Sequence, residues 1–130
     1  MMTITFPGGK KVEARYKGIT IQTDQPVSEG GGGTAPAPFD LFIASIGTCM
    51  GYYVLQFCEQ RDISCKDIRL SLTDEWDPIV RRIIRIKVTI ELPSSFPSKY
   101  SDAVIKAAEQ CTVKKHLLTP PEIVVETKQR

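Results

Sequence analysis

The amino-acid sequence predicts one α+β domain, in which mainly antiparallel sheets pack on two helices. Three observations lead to this prediction: alternating segments in both halves of the chain, a long apolar segment between them, and a second helical pattern near the end. A chain of 130 residues is long enough for one core and too short for two. Strands first and mixed units afterwards are typical of an α+β architecture. We therefore treat residues 1–130 as a single domain.

Residues 1–23 are predicted to form a meander of three strands. Segments 2–6 and 10–16 alternate and are joined by the turn residues "PGGK". The "KG" pair at 17–18 then permits a reversal into a third strand, "ITIQT". Residues 24–37 carry four consecutive glycines and several prolines, so they are predicted to form a flexible loop. A loop of this length in a compact domain is more often functional than idle.

A long helix is predicted from Pro38 to about Arg61. A proline costs no hydrogen bond in the first turn of a helix, and the charge of Asp40 there complements the helix dipole. Because the helix is apolar on most of its circumference, it needs cover from the sheet and from a further element, which suggests a second subunit. Gly47 and Gly51 lie one turn apart, which predicts close packing of another helix.

The part from residue 38 to 130 is predicted to continue with two strands, a helix and a strand. The segments "SCKDIRLSLTDEW" and "RRIIRIKVTIEL" are the two strands, and "DP" marks the turn between them. A second helix is predicted to start near residues 98–101 and to carry Cys111 on its apolar stripe. After a Pro-Pro break, Ile123–Glu126 is predicted to form a last strand. The residues expected on one face of the second strand are Ile84, Ile86, Val88, Ile90 and Leu92.

Several classes of partner are excluded by composition and motifs. The net charge is only +2 and no basic block with aromatic residues occurs, so no nucleic-acid partner is expected. The apolar run from Leu41 to Phe57 is interrupted by glycines and is shorter than the about 20 residues of a membrane span. The first residues do not resemble a secretory leader, so we expect a cytoplasmic protein without a membrane segment. With His116 as the only histidine, neither a metal site nor a cofactor site is expected.

The four cysteines leave several interpretations open. They stand at positions 49, 58, 65 and 111, and no two have Cys-x-x-Cys spacing. Three interpretations remain: the cysteines are small apolar residues of the core, ligands of a metal site with unusual spacing, or a redox pair. Cys58 and Cys65 are predicted to be structural thiols.

A reactive Cys49 would need help from another segment. A thiol attacks a peroxide only as the thiolate. Cys49 is predicted about three turns into its helix, beyond the reach of the helix dipole, and burial would raise its pKa. We therefore expect a cation from elsewhere in the chain, with a carboxylate such as Asp40 holding the guanidinium.

Two motifs together resemble a known family. The stretch "APFDLFIASIGTC", followed about sixty residues later by "AAEQCTVKKHL", is similar to the OsmC/Ohr family of organic hydroperoxide reductases and osmotically inducible proteins. The resemblance covers nearly the whole chain. It implies an OsmC-like fold and an intertwined homodimer with the long helices at its centre. It also implies a peroxidase in which Cys49 attacks an organic hydroperoxide, Cys111 resolves it as a disulfide, and a lipoyl-type dithiol reduces that disulfide.

The resemblance implies two further site residues. Active members use a glutamate and an arginine to organise the thiolate. Directly after the helix-opening proline, where Ohr proteins have the glutamate, this chain has Phe39, and Asp40 follows as in the OsmC-like branch. Arg15 is the candidate arginine. Less favoured are Arg81, Arg82 and Arg85.

Two other functions are compatible with the same residues. One is an OsmC-like dimer without turnover that binds a small hydrophobic ligand in an apolar cleft lined by the cysteines. The other is a redox sensor, in which a bridge between Cys49 and Cys111 changes the shape of the dimer.

Overall fold

The computed structural model describes all 130 residues and contains five strands and three helices. The strands form two antiparallel sheets, so the predicted α+β class is confirmed. The chain divides into two compact units, Met1–Ala44 and Ser45–Arg130.

The first unit contains the predicted meander. Strands β1 (Thr3–Gly8), β2 (Lys11–Tyr16) and β3 (Ile19–Thr23) pair in the order β1-β2-β3, each antiparallel to the next. Lys17 and Gly18 both have positive φ angles, of 48° and 78°, as the tightest hairpin turn requires. The sequence prediction for these strands is therefore correct to within two residues.

The glycine-rich loop that follows is organised around the buried carboxylate of Asp24. This carboxylate accepts hydrogen bonds from the N–H groups of Gln25 (2.8 Å) and Gly32 (3.2 Å), and from both the N–H and the hydroxyl of Thr34. The bonds from Thr34, with those from the other two residues, lower the pKa of Asp24 from 3.8 to about 2. A short 3-10 turn, Val27–Glu29, lies within the loop. The predicted loop thus exists, but one carboxylate fixes its path.

Helix α1 spans Pro38–Glu59, close to its predicted bounds. By length and composition alone it is apolar enough to cross a membrane, a property that core helices of soluble proteins share. Only 28% of its most apolar 18-residue stretch is buried within the chain, so much of the helix needs further cover. The buried residues on it are Ile46, Met50, Val54, Phe57 and Cys58.

Within the single chain, the two helix glycines have different surroundings. A Cβ atom on Gly47 would lie 2.9 Å from Cδ1 of Leu72, which belongs to strand β4 (Arg69–Asp77). The close neighbour within the chain is thus a strand side chain and not a second helix. A Cβ atom on Gly51 would meet nothing within 4 Å.

Strand β5 (Arg82–Glu91) pairs with β4 in one long hairpin that contains a bulge. Glu75 pairs with Arg85 but Trp76 pairs with Ile83, so Ile84 is left without a partner. Ile84 is 48% exposed and does not share the half-buried face of Ile86 and Val88, so its predicted place on that face is wrong. The bulge shifts the alternation by one residue, whereas the later positions keep the predicted pattern.

The C-terminal part differs most from the prediction. Helix α2 spans Ser101–Ala108, and a third helix, α3, spans Thr112–Leu118. Cys111 therefore does not lie on the second helix; it precedes α3 with φ −45° and ψ 119°. Ile123–Glu126 has no regular secondary structure, because neither sheet supplies a strand that pairs with it.

Candidate active site

The structure brings Cys49 and Cys111 together within the second unit. Cys49 projects from helix α1, Cys111 lies between α2 and α3, and the two thiols share a hydrogen bond. Cys111 is 0% exposed, whereas Cys49 is only partly buried. A solute can therefore reach Cys49 and not Cys111.

The surroundings shift the pKa values of the two thiols in opposite directions. Burial is the largest influence on Cys49 and raises its pKa, but the N–H of Val113, the thiol of Cys111 and the N–H of Thr112 together lower the pKa below its ordinary value. Burial is the largest influence on Cys111 and raises its pKa. The hydrogen bond with Cys49 and the charge of Cys49 raise it further, whereas the hydrogen bond from the N–H of Lys114 lowers it. The pair thus favours a Cys49 thiolate that accepts a hydrogen bond from the Cys111 thiol.

The N–H donors come from the start of helix α3. The first N–H groups of a helix have no acceptor within the helix, and here sulfur atoms accept from them. Thr112 and Val113 donate to Cys49, and the N–H of Lys114 donates to Sγ of Cys111 at 3.3 Å. Within this unit, backbone N–H groups thus help to lower the pKa of Cys49, a contribution that the sequence did not predict. The sequence feature that could have predicted these donors is the segment "TVKKHLL", because its short helical pattern begins directly after Cys111.

Two side chains fix the start of α3. The hydroxyl of Tyr53, one turn after Cys49 on α1, lies 3.1 Å from the hydroxyl oxygen of Thr112. Nδ1 of His116 lies 2.7 Å from the carbonyl oxygen of Thr112, one turn earlier in the same helix. The ring of Tyr52 packs edge-on against that of Tyr53. Sequence reasoning did not single out Tyr53, and no local pattern marks it.

Arg15 and Asp40 lie in the first unit and do not pair with each other. Arg15 is on β2 with its side chain 64% exposed, and its guanidinium lies 3.5 Å from the carboxylate of Glu13. The carboxylate of Asp40 accepts a hydrogen bond from the N–H of Ala37 at 3.0 Å, which satisfies a free donor at the start of α1. Among the less favoured arginines, Arg85 pairs with Glu75 at 3.0 Å.

An apolar cavity of about 570 Å³ opens in the same unit as the two cysteines. Helices α1, α2 and α3 and strand β5 line it. Neither cysteine lines this cavity, although Met50 follows Cys49 directly in the chain. Its other apolar residues include Ile86, Val88, Ile90, Val104 and Leu117, and its charged ones are Lys87, Glu109 and Lys114.

Comparisons with known proteins identify the family. The model of the family described as OsmC-like protein matches residues 30–126. A solved OsmC-like protein from Mycoplasma pneumoniae shares 13% identity, with a TM-score of 0.73 over 92% of this chain and 87% of that chain. A Psychrobacter arcticus protein, provisionally named an osmotic stress induced and detoxification response protein, shares 23% identity, with a TM-score of 0.75 over 88% and 85% of the two chains.

A third solved structure is the organic hydroperoxide resistance protein OhrB of Bacillus subtilis. It shares 19% identity, with a TM-score of 0.55 over 89% of this chain and 90% of that chain. A comparison with curated protein sequences found no significant match. At these identities the structural likenesses show a common fold and nothing finer.

Proposed function

The chain belongs to the OsmC-like protein family, and from that premise we propose that it is a thiol-dependent peroxidase that reduces organic hydroperoxides. One observation carries the proposal: an accessible thiol with a lowered pKa forms a hydrogen bond with a buried thiol whose pKa is raised. A lowered pKa suits the nucleophile, and a thiol beside it can trap the sulfenic acid as a disulfide. The proposal also agrees with the names of two solved relatives, which are called organic hydroperoxide resistance proteins.

The proposed reaction has three steps. The Cys49 thiolate attacks one oxygen of the O–O bond, the bond breaks, and the alcohol leaves with a proton, so that Cys49 becomes a sulfenic acid. The sulfur of Cys111 then attacks the sulfur of Cys49, a disulfide forms and water leaves. A dithiol of the lipoyl type then reduces the disulfide by exchange. It thereby restores to the two cysteines the two electrons that they gave to the hydroperoxide.

We assign Arg15 and Asp40 supporting roles in the same proposal. Arg15 would supply a positive charge to the Cys49 thiolate, since its exposed guanidinium is held only by a contact of 3.5 Å to Glu13. Asp40 would fix the start of α1 through Ala37, and any contact with the arginine would be additional. Substitution of Arg15 by Ala is then expected to slow peroxide reduction without altering the Cys49–Cys111 hydrogen bond.

A cytoplasmic homodimer is the proposed working form. Apolar side chains on α1, such as Tyr52 and Leu55, remain exposed in the single chain, as does the apolar segment Ile123–Val125. Exposed apolar surface of this extent is typical of a protein interface. A second copy of the chain that packs against α1 would bury these apolar side chains of the helix.

The proposal is tested by hydroperoxide consumption in the presence of dihydrolipoamide. We expect turnover of an alkyl hydroperoxide by the wild-type protein and none by the Cys49→Ser variant. In Cys111→Ser, Cys49 is expected to proceed to sulfinic acid, because no partner thiol traps the sulfenic acid. Cys65→Ser, which changes a thiol outside this pair, serves as the matched control and is expected to keep wild-type turnover. Undiminished turnover by Cys49→Ser would refute the proposal.

The cavity favours a second candidate function, the binding of a small hydrophobic ligand without turnover. About 570 Å³ of mainly apolar space suffices for a ligand of ordinary size. Native mass spectrometry would detect a co-purified or added ligand, and Val104→Trp, which fills the cavity, should abolish its binding. A protein that carries no ligand and binds none would exclude this candidate.

A further inference from the structure

The two cysteines outside the candidate active site also lie close to each other. Helix α1 ends in a left-handed turn: Asp62 has φ 54°, and the N–H of Ile63 donates to the carbonyl oxygen of Cys58 at 2.9 Å. This turn reverses the chain toward the last turn of the helix. The sulfur of Cys65 consequently lies 3.9 Å from the carbonyl oxygen of Val54, one helical turn before Cys58.

The thiols of Cys58 and Cys65 share a hydrogen bond and differ in accessibility. Cys58 is 0% exposed, and Cys65 is only partly buried. Burial, followed by the bond to Cys65, raises the pKa of Cys58 to about 12, and the charge of Arg61 opposes this. Arg61 is held in place, because its guanidinium lies 3.7 Å from the ring centre of Phe57 and donates to the carbonyl oxygen of Phe57 at 3.1 Å.

Helix geometry separates this pair from Cys49. Cys58 follows Cys49 by nine residues in one continuous helix. At about 100° and 1.5 Å per residue, the two side chains point to opposite faces and start about 13 Å apart along the axis. Direct exchange between the two pairs would need sulfur atoms in contact, so each pair must react by itself.

We propose that Cys58 and Cys65 are a second, independent dithiol site, which reacts with low-molecular-weight disulfides and closes a reversible bridge across the C-terminal end of α1. A small disulfide is the fitting oxidant because a partly buried sulfur, Cys65, lies beside a fully buried thiol, Cys58, which can displace the small thiol from the mixed disulfide. In disulfide exchange an accessible cysteine attacks as the thiolate, so the reaction is expected to become faster as the pH rises, and the neighbouring thiol then completes the bridge.

The exchange has two balanced steps. Cys65 attacks one sulfur of the small disulfide, the S–S bond breaks, and one small thiol leaves with a proton while the other half stays bound to Cys65. Cys58 then attacks the sulfur of Cys65 and releases the second small thiol with a second proton. The two cysteines lose two electrons, and the small disulfide gains them.

Oxidised glutathione provides the test, applied to the full-length Cys49→Ser/Cys111→Ser variant so that only the second pair can react. We expect a Cys58–Cys65 disulfide in peptide mapping, with the loss of two hydrogen masses and full reversal by dithiothreitol. Closing this short loop is expected to raise the melting temperature by roughly 5–10 °C. With Cys58→Ala added, Cys65 should instead retain one glutathionyl group. With Cys65→Ala added, the folded protein should not react.

Three results would overturn the proposal. They are a glutathionyl group on Cys65 while Cys58 is still present, the absence of any reaction, and a reaction at Cys58 in the Cys65→Ala protein. Should Cys58→Ala fail to fold, mapping of the parent variant alone decides between bridge and mixed disulfide. Because the test uses a protein without Cys49 and Cys111, its outcome does not depend on the peroxidase proposal.

Discussion

The hydrogen bond from Cys111 to Cys49 can be tested by two substitutions at one position. Cys111→Ala removes the donor and leaves the backbone donors of Thr112 and Val113 in place. Cys111→Ser keeps a donor of similar size, and its hydroxyl can also accept from the N–H of Lys114, as the sulfur does at 3.3 Å. The two variants therefore differ chiefly in whether Cys49 receives this bond.

The size of the effect follows from the charge of the acceptor. A hydrogen bond to a charged group contributes about 1.5–3 kcal/mol, and a thiol is a weak donor, so the lower end of this range applies. A loss of about 1.5 kcal/mol lowers the thiolate population about tenfold at a pH where the thiol form predominates. The pKa of Cys49 rises in Cys111→Ala, so the reactive pH range moves upward.

The rate of Cys49 alkylation by iodoacetamide, followed as a function of pH by peptide mapping, measures this directly. We expect about tenfold slower alkylation near neutral pH in Cys111→Ala and a rate near that of the wild type in Cys111→Ser. Cys65→Ala, which changes a thiol near the opposite face of α1, should leave the Cys49 profile unchanged. An unchanged profile in Cys111→Ala, or a shift to lower pH, would refute the assigned roles of the two thiols.

Three further predictions concern the surrounding structure. Because the pKa of Asp24 is lowered from 3.8 to about 2, its carboxylate contributes stability that is present above about pH 4 and lost as the pH falls toward 2. Asp24→Asn should remove this part of the acid dependence in circular dichroism, and an identical acid profile would contradict it. Gly47→Ala gains about 1 kcal/mol of helix propensity but brings a methyl group against Leu72 at a cost of about 1–3 kcal/mol. In urea unfolding, Gly47→Ala should be more favourable in a Leu72→Val background than in the wild-type protein, whereas additive effects would exclude the contact. Tyr53→Phe removes the hydroxyl that ties α1 to α3 and should cost about 1 kcal/mol and slow Cys49 alkylation; an unchanged alkylation rate would show that this tie does not position the donors.

The elements set by local patterns were predictable from the sequence. Pro38 and the apolar run after it place α1, and the turn at Lys17 and Gly18 places the second hairpin of the meander. The misplaced features depend on contacts between distant segments. The bulge at Ile84 is set by pairing with β4, and the break before Cys111 has no glycine or proline to mark it.

The candidate site was predictable only in part, for the same reason. The pairing of Cys49 with Cys111 followed from the family resemblance, since spacing in the sequence does not show that two thiols meet. The N–H donors of α3 were missed because a backbone group carries no signal in composition. The role of Asp24 was missed because its partners lie up to ten residues away in a loop without periodicity.

The most direct test of the account is peptide mapping of the reduced protein after one equivalent of an alkyl hydroperoxide. The account predicts a Cys49–Cys111 disulfide within seconds, while Cys58 and Cys65 remain thiols. Survival of both Cys49 and Cys111 as thiols for many minutes would contradict it and would leave ligand binding in the apolar cavity as the better interpretation.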